Sequence, residues 1–189
     1  YLQSLGVKAI WLMPIQPSPT YHGYDVTDYY AVNPDYGTME DFKRLLEEAH
    51  KRDIKVILDL VLNHTSSQHP WFISAQTPGS ADHDKYIWSD YDPHTPGPLE
   101  KPAWHPASNG KYYYAIFWDQ MPDLNYDTPA VREEGKKIAS FWLEDAGIDG
   151  FRLDAVRYLV EEDGSLADSP ANHAYLDEWG KYYRSINPE

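Results

Sequence analysis

The chain has 189 residues, no cysteine, a formal net charge of −14 and an aromatic content of 15%. The lack of cysteine excludes disulfide-stabilised folds and cysteine–zinc sites. The negative charge disfavours nucleic acid as a partner, because phosphate would be repelled. The longest apolar run, residues 56–62, is interrupted by Asp59 and is too short to span a membrane. We therefore expect a folded domain, or part of one, without a nucleic-acid or membrane partner.

The first residue is Tyr1, and no signal-peptide pattern follows it. We interpret the chain as a segment of a longer protein. This interpretation leaves the location open between the cytoplasm and the cell exterior, and it leaves the oligomeric state open as well.

Three short apolar runs predict buried strands, at residues 7–14, 55–62 and 148–153. Helical periodicity lies between and after them, at residues 39–52, 128–147 and 172–185. Thr38 followed by Asp41 is a helix start signal, and so is Thr128 followed by a proline. Gly147 can adopt the left-handed backbone conformation that often ends an α-helix. The alternation of strands and helices predicts a parallel sheet covered by helices.

Residues 63–128 interrupt this alternation. The 66 residues contain eight prolines and no clean periodicity. A structureless loop of this length inside a compact domain is improbable, so we predict a small irregular domain inserted after the second strand. The predicted division is a sheet segment at 1–62, the insertion at 63–127 and a second sheet segment at 128–189.

Polar side chains follow each predicted strand, where parallel α/β folds bind ligands. The sharpest pair is Arg152 and Asp154, which share one strand face because side chains alternate. A carboxylate beside an arginine stays ionised, as covalent attack on a sugar requires. The alternative is an ion pair that only fixes strand geometry.

Further candidates surround this pair. After the second strand, Asn63 and His64 can bind hydroxyl groups, although both could equally serve the local turn. Asp59, earlier in that strand, is expected to support its neighbours as a buried carboxylate. Three side chains after the first strand could stack on a sugar or bind it, namely Tyr21, His22 and Tyr24. The alternative is that they belong to the core, as most aromatic residues do.

Metal chemistry has one candidate site. The histidines have no spacing of a known transition-metal motif, and we expect most of them to be loop residues. Asn63 and Asp123 flank the insertion and offer oxygen ligands, so a hard cation such as Ca²⁺ could hold the insertion in place.

Four motifs together resemble the α-amylase family, glycoside hydrolase family 13. They are YHGYD at residues 21–25, DLVLNH at 59–64, MPDLN at 121–125 and GFRLDAV at 150–156. Their order and spacing around the insertion match that family along essentially the whole chain. The resemblance implies about the first half of a (β/α)8 barrel, with the insertion as its domain B.

The resemblance also implies roles for single residues. Asp154 is similar to the family's catalytic nucleophile, Arg152 to the arginine that holds it, and His64 to the histidine that binds the sugar. Tyr24 is similar to the tyrosine beneath that sugar, and Asp59 to the supporting aspartate. Asn63 and Asp123 match calcium positions of many amylases, though not of all relatives.

The implied activity is retaining hydrolysis of α-1,4-glucosidic bonds in starch, maltodextrin or related α-glucans. The MPDLN motif, Tyr21-His22 and Ala155 favour this linkage within the family. The family's acid/base glutamate is missing, because no glutamate among Glu161, Glu162, Glu178 and Glu189 follows a strand. We therefore expect the segment alone to be inactive. Two alternatives stay open: a non-catalytic glycan-binding or transporter-associated relative, and an isomerase or transglycosylase such as a trehalose synthase.

Overall fold

A computed structural model describes residues 1–98, 100–162 and 164–188. The strands, in chain order, are β1 Ala9–Leu12, β2 Lys55–Leu60, β3 Trp88–Ser89, β4 Trp104–Pro106, β5 Tyr112–Tyr114 and β6 Gly150–Leu153. The helices are α1 Met39–His50, α2 Pro70–Ala75, α3 Pro129–Ser140 and α4 Pro170–Ile186. None of the helices in these ranges combines the length and the apolar character that crossing a membrane requires.

The central sheet contains the three predicted strands, in the order β1-β2-β6, and both pairings are parallel. Each strand is shorter than predicted. The second ends at Leu60 rather than at residue 62, because Val61 and Leu62 leave the strand pairing while they remain buried. The sheet face that carries Val56, Leu58 and Leu60 forms the core together with the helices.

Helix α1 begins as its sequence predicts. The Thr38 hydroxyl accepts a hydrogen bond from the Asp41 amide, and the Asp41 carboxylate accepts one from the Thr38 amide. Phe42 and Leu46 are buried against the sheet. Leu45, next to Leu46 in this helix, is exposed.

The predicted helix at 128–147 consists of two parts. Helix α3 begins at Pro129, but the Thr128 hydroxyl donates to the Asp84 carbonyl and does not cap the helix. From Phe141–Ala146 the chain continues as a π-helix, which ends at Gly147 with φ of 91° as predicted. Trp142 on this turn is fully buried, and its indole donates to the Tyr29 carbonyl at 2.8 Å.

Helix α4 is longer at both ends than predicted. Its start is fixed by Ser169, whose hydroxyl accepts from the Asn172 amide at 2.9 Å. Trp179 and Tyr183 of this helix pack on Phe151 of β6. Phe151 therefore lies on the helix side of the sheet.

Between β2 and α3 the chain forms a second, antiparallel sheet in the order β3-β5-β4, with α2 beside it. Aromatic rings hold this part together, since Phe72 of α2 contacts Trp88, Tyr113 and Tyr86. The segment leaves and rejoins the central sheet at one place, where His64 and Asp123 form an isolated antiparallel bridge.

Candidate active site

Arg152 joins two carboxylates at the carboxyl ends of β2 and β6. It lies opposite Asp59 in the parallel pairing of these strands. Its Nη1 donates to both Asp59 oxygens at 3.1 Å and to Asp154 Oδ1 at 2.5 Å. The three charged groups therefore lie on the sheet face opposite the helices.

Backbone geometry fixes the direction of Asp154. Its amide donates to the Leu60 carbonyl at 3.0 Å, directly after the end of β6. The next residue, Ala155, has φ of 49°, a left-handed conformation that is uncommon for a residue with a side chain. The chain turns away at this point, so the Asp154 carboxylate projects beyond the strand end.

Asp59 is completely buried. Burial raises the pKa of its carboxyl, and the hydrogen bonds and charge of Arg152 oppose this rise. Burial would lower the pKa of Arg152, but the two carboxylates outweigh that effect and raise it. Arg152 thus stays charged and compensates both acidic groups.

Tyr24 approaches the same cluster from the loop after β1. Its hydroxyl donates to Asp59 Oδ2 at 3.1 Å. Burial, followed by the neighbouring charge of Asp59, raises the pKa of Tyr24 to about 12. The phenol is therefore a neutral hydrogen-bond donor at ordinary pH, and its ring forms one wall of the site.

His64 follows β2 and is almost fully buried. Its Nε2 lies 3.1 Å from the Tyr24 carbonyl, which can only accept, so Nε2 carries the proton. Its Nδ1 lies 3.4 Å from the Asn63 side-chain amide. Burial lowers the pKa of His64 to about 4, so the ring is neutral near pH 7.

These side chains border an open cleft of about 290 Å³, which is lined by His22, Tyr24, His64, Phe117, Met121 and Asp154. Tyr21 does not line it. Tyr21 is 95% exposed, and its ring meets His22 edge-on at 5.5 Å. Phe117 and Met121 come from the returning end of the inserted segment and were not among the predicted site residues. Met121 lies within the MPDLN motif, which was a signal for its position.

The arrangement suits attack by a carboxylate on a neutral, hydroxylated ligand. Asp154 faces the cleft and is held by one arginine. The neighbouring imidazole and phenol are uncharged, so they do not compete with Asp154 for the arginine. Phe117 and Tyr24 give the cleft apolar faces.

Asn63 and Asp123 lie together at the base of the insertion, and both are buried. Burial raises the pKa of Asp123 well above its usual range, and a hydrogen bond with Asn63 only partly opposes this rise. Asp123 Oδ1 is buried without a hydrogen-bond partner. This oxygen fits a hard cation, although the described ranges contain no cluster of three or more His, Cys, Asp or Glu side chains that could hold a metal. Main-chain carbonyls and water would have to complete such a site.

Three of the four glutamates considered above make other contacts. Glu161 is partly buried and accepts a hydrogen bond from the Tyr114 hydroxyl. Glu178 pairs with Lys136 at 2.8 Å on the surface of the helices. Glu162 accepts from the Ala171 amide at the start of α4. Glu189 lies outside the described residues.

Comparison with known proteins identifies the family. The family model "Alpha amylase, catalytic domain" matches residues 1–189. "Alpha-amylase 3" of Dictyoglomus thermophilum is 52% identical over 190 residues, which are 100% of this chain and 36% of that protein. "Trehalose synthase/amylase TreS" of Mycolicibacterium smegmatis is 44% identical over 186 residues, which are 93% of this chain and 31% of that protein.

Among solved structures, trehalose-6-phosphate hydrolase of Bacillus licheniformis superposes with a TM-score of 0.91 at 38% identity, covering 99% of this chain and 37% of that one. The chain thus spans about a third of the length of these relatives. The predicted fold, part of a (β/α)8 barrel, is confirmed. The chain belongs to the α-amylase family, glycoside hydrolase family 13.

Proposed function

We propose that the protein is a retaining glycosidase that cleaves α-1,4-glucosidic bonds in starch, maltodextrin or related α-glucans. Asp154 is the nucleophile, Arg152 positions it, and Asp59 supports Arg152. Tyr24, His64 and His22 bind the sugar at the bond that is cleaved. The acid/base glutamate comes from the remainder of the polypeptide.

The observation that carries this proposal is the position of Asp154, which faces the cleft while Arg152 binds its Oδ1. In the first step an Asp154 oxygen forms a bond to the anomeric carbon. The glycosidic C–O bond breaks, and the leaving oxygen receives the glutamate's proton. In the second step that glutamate removes a proton from water, whose oxygen displaces Asp154.

Two displacements at one carbon retain its configuration. The complete enzyme acting on maltoheptaose should therefore release the α-anomer first, as measured by proton NMR within the first minutes. Initial release of the β-anomer would rule out the covalent intermediate.

The role of Asp154 is tested separately by Asp154→Asn, which keeps the size of the side chain but removes the nucleophile. We expect kcat to fall by roughly four orders of magnitude or more, while maltoheptaose binding is largely retained. The matched control is Asp168→Asn. Asp168 pairs with Arg157 at 2.5 Å on the surface, outside the cleft. If Asp154→Asn were as active as this control, Asp154 would have only a structural role.

A second candidate is intramolecular transfer, in which the glucosyl group on Asp154 returns to the bound sugar at another hydroxyl. It is favoured by the relative named trehalose synthase/amylase, which is 44% identical. Incubation of the complete enzyme with maltose distinguishes the two candidates. Hydrolysis gives glucose alone, whereas transfer gives trehalose with little free glucose.

We also propose that a calcium ion binds at Asn63 and Asp123. The support is the buried, unpartnered Asp123 oxygen beside Asn63. A bound cation would supply the positive charge that this carboxylate lacks and would tie the two ends of the insertion together.

A further inference from the structure

Trp118 is an exposed aromatic side chain beside the cleft, with no part in the arrangement described so far. It is 43% exposed, although the preceding residue, Phe117, lines the cleft. Its ring lies edge-on to His22, with 6.5 Å between the ring centroids. Single exposed aromatic residues are common, so the place of Trp118 beside the cleft, and not its exposure alone, indicates contact with a ligand.

The loop that carries Trp118 is held firmly on both sides. The Trp118 carbonyl accepts from the Met121 amide at 2.8 Å, and the Asp119 carbonyl accepts from the Tyr113 hydroxyl at 2.8 Å. Ser67 binds Gln120 twice, by its amide and its hydroxyl, at 2.8 and 2.7 Å. The backbone at Trp118 is therefore held in place, and binding a ligand costs little ordering of the loop.

The aromatic rings continue across the mouth of the cleft. His22 is the common neighbour of Tyr21 at 5.5 Å, Tyr24 at 6.1 Å and Trp118 at 6.5 Å. Tyr24 and His22 line the cleft, while Tyr21 and Trp118 extend beyond it into solvent. The four aromatic rings thus extend from the Asp154 site outwards, and they connect the loop after β1 with the inserted segment.

We propose that Trp118 binds a second sugar ring of an α-glucan chain, outside the cleft where Asp154 acts. The C–H face of a glucosyl unit presents apolar surface that can pack on an indole. Polar sugar edges stay in water, which suits a site that is open at the rim. This inference rests on the proposed function, because it specifies the chain length of that substrate.

The test compares substrates of different length in the complete enzyme. Trp118→Ala should lower the ratio of kcat/KM on maltoheptaose to kcat/KM on maltose by roughly ten-fold, because a lost ring contact of this kind is worth about 1.4 kcal/mol. The control is Tyr91→Ala, which removes an aromatic side chain that is still more exposed, at 70%, and does not line the cleft. An unchanged ratio in Trp118→Ala, or an equal change in Tyr91→Ala, would overturn the proposal.

A binding measurement separates this inference from the proposed hydrolysis. Calorimetric titration of the Asp154→Asn enzyme with maltoheptaose should show affinity that falls about ten-fold when Trp118 is also replaced by alanine. If the wild-type enzyme binds maltoheptaose through Trp118 but cleaves no α-1,4 bond, the proposed hydrolysis fails and this inference stands. If maltoheptaose does not bind, or binds equally well without Trp118, the inference is wrong.

Discussion

Arg152 and Asp59 are direct partners across the parallel pairing of β2 and β6, with Nη1 at 3.1 Å from each carboxylate oxygen. The pairing places a fully buried acid beneath an arginine that also holds Asp154 at the edge of the cleft. The strand register therefore determines the position of the proposed nucleophile.

Arg152→Lys tests this dependence. All contacts of Arg152 with the two acids come from Nη1, and the guanidinium is also stacked over the Trp11 ring at 5.3 Å. A lysine ammonium on a flexible stem loses this planar stacking, so it would hold Asp154 less precisely. We expect kcat/KM of the complete enzyme to fall roughly 100-fold or more, since small displacements of a reacting group have effects of this size. The control is Arg157→Lys, at the exposed pair with Asp168. Similar kinetics for the two variants would contradict the positioning role of Arg152.

Gly23→Ala tests the loop that carries Tyr24. Gly23 has φ of +79°, and a Cβ there would lie 2.9 Å from the Pro14 carbonyl oxygen. Gly6 has nearly the same φ, +78°, but open space around it. Both substitutions impose left-handed strain of about 1 kcal/mol. Only Gly23→Ala should also displace Tyr24 and lower kcat/KM on maltoheptaose, and equal activity of the two variants would show that the loop adapts.

The burial of His69 predicts that the folded protein becomes less stable in mild acid. Its Nδ1 accepts from the Trp71 amide at the start of α2, and burial lowers its pKa to about 4. The unfolded chain takes up this proton near pH 6.5, whereas the folded ring resists it down to about pH 4. The contribution of His69 to the free energy of unfolding is therefore fully present above pH 6.5. It decreases as the pH falls, with a loss approaching about 3 kcal/mol near pH 4.

The His69 effect can be isolated by thermal unfolding of the complete protein at pH 7 and pH 5. His69→Asn keeps an acceptor for the Trp71 amide but does not titrate, so its midpoint should depend less on pH than the wild-type midpoint does. His94→Asn, at an exposed histidine, is the control. A pH dependence that is unaltered by His69→Asn would assign the acid sensitivity to other groups.

Chelation tests the proposed calcium site. EDTA should lower the thermal midpoint of the complete enzyme, and added Ca²⁺ should restore it, because a bound ion stabilises only the folded state. In Asp123→Asn the site loses its one carboxylate, and the midpoint should no longer respond to EDTA. A wild-type midpoint that is insensitive to EDTA would mean that Asn63 and Asp123 only contact each other.

The central sheet and its helices were predictable because their signals are local. Alternation places Phe151 and Arg152 on opposite faces, and the capping pattern at Thr38 marks the start of α1. The exact strand ends were not predictable, because Val61 is as apolar and as buried as the strand residues before it. Burial alone does not reveal where the pairing stops.

The cleft was predictable only in part. Asp154, His64 and Tyr24 follow strands, so their meeting at one rim follows from the parallel topology. Phe117 arrives from the inserted segment, whose strands of two or three residues are too short to show periodicity. The start of α2 does carry a local signal, because His69 followed by proline resembles Thr128 followed by proline at the start of α3.

The bridge between His64 and Asp123 also bears on how this protein could be diversified. Because the inserted segment departs and returns at neighbouring positions, its ends are already together whatever its length. Lengthening such a loop adds little closure entropy, about 0.6 kcal/mol for each doubling. The stretch between Ser66 and Gln120 could therefore be exchanged as a cassette between relatives. Such an exchange would replace Phe117 and Trp118 while leaving the strands that carry Asp59, Arg152 and Asp154 in place.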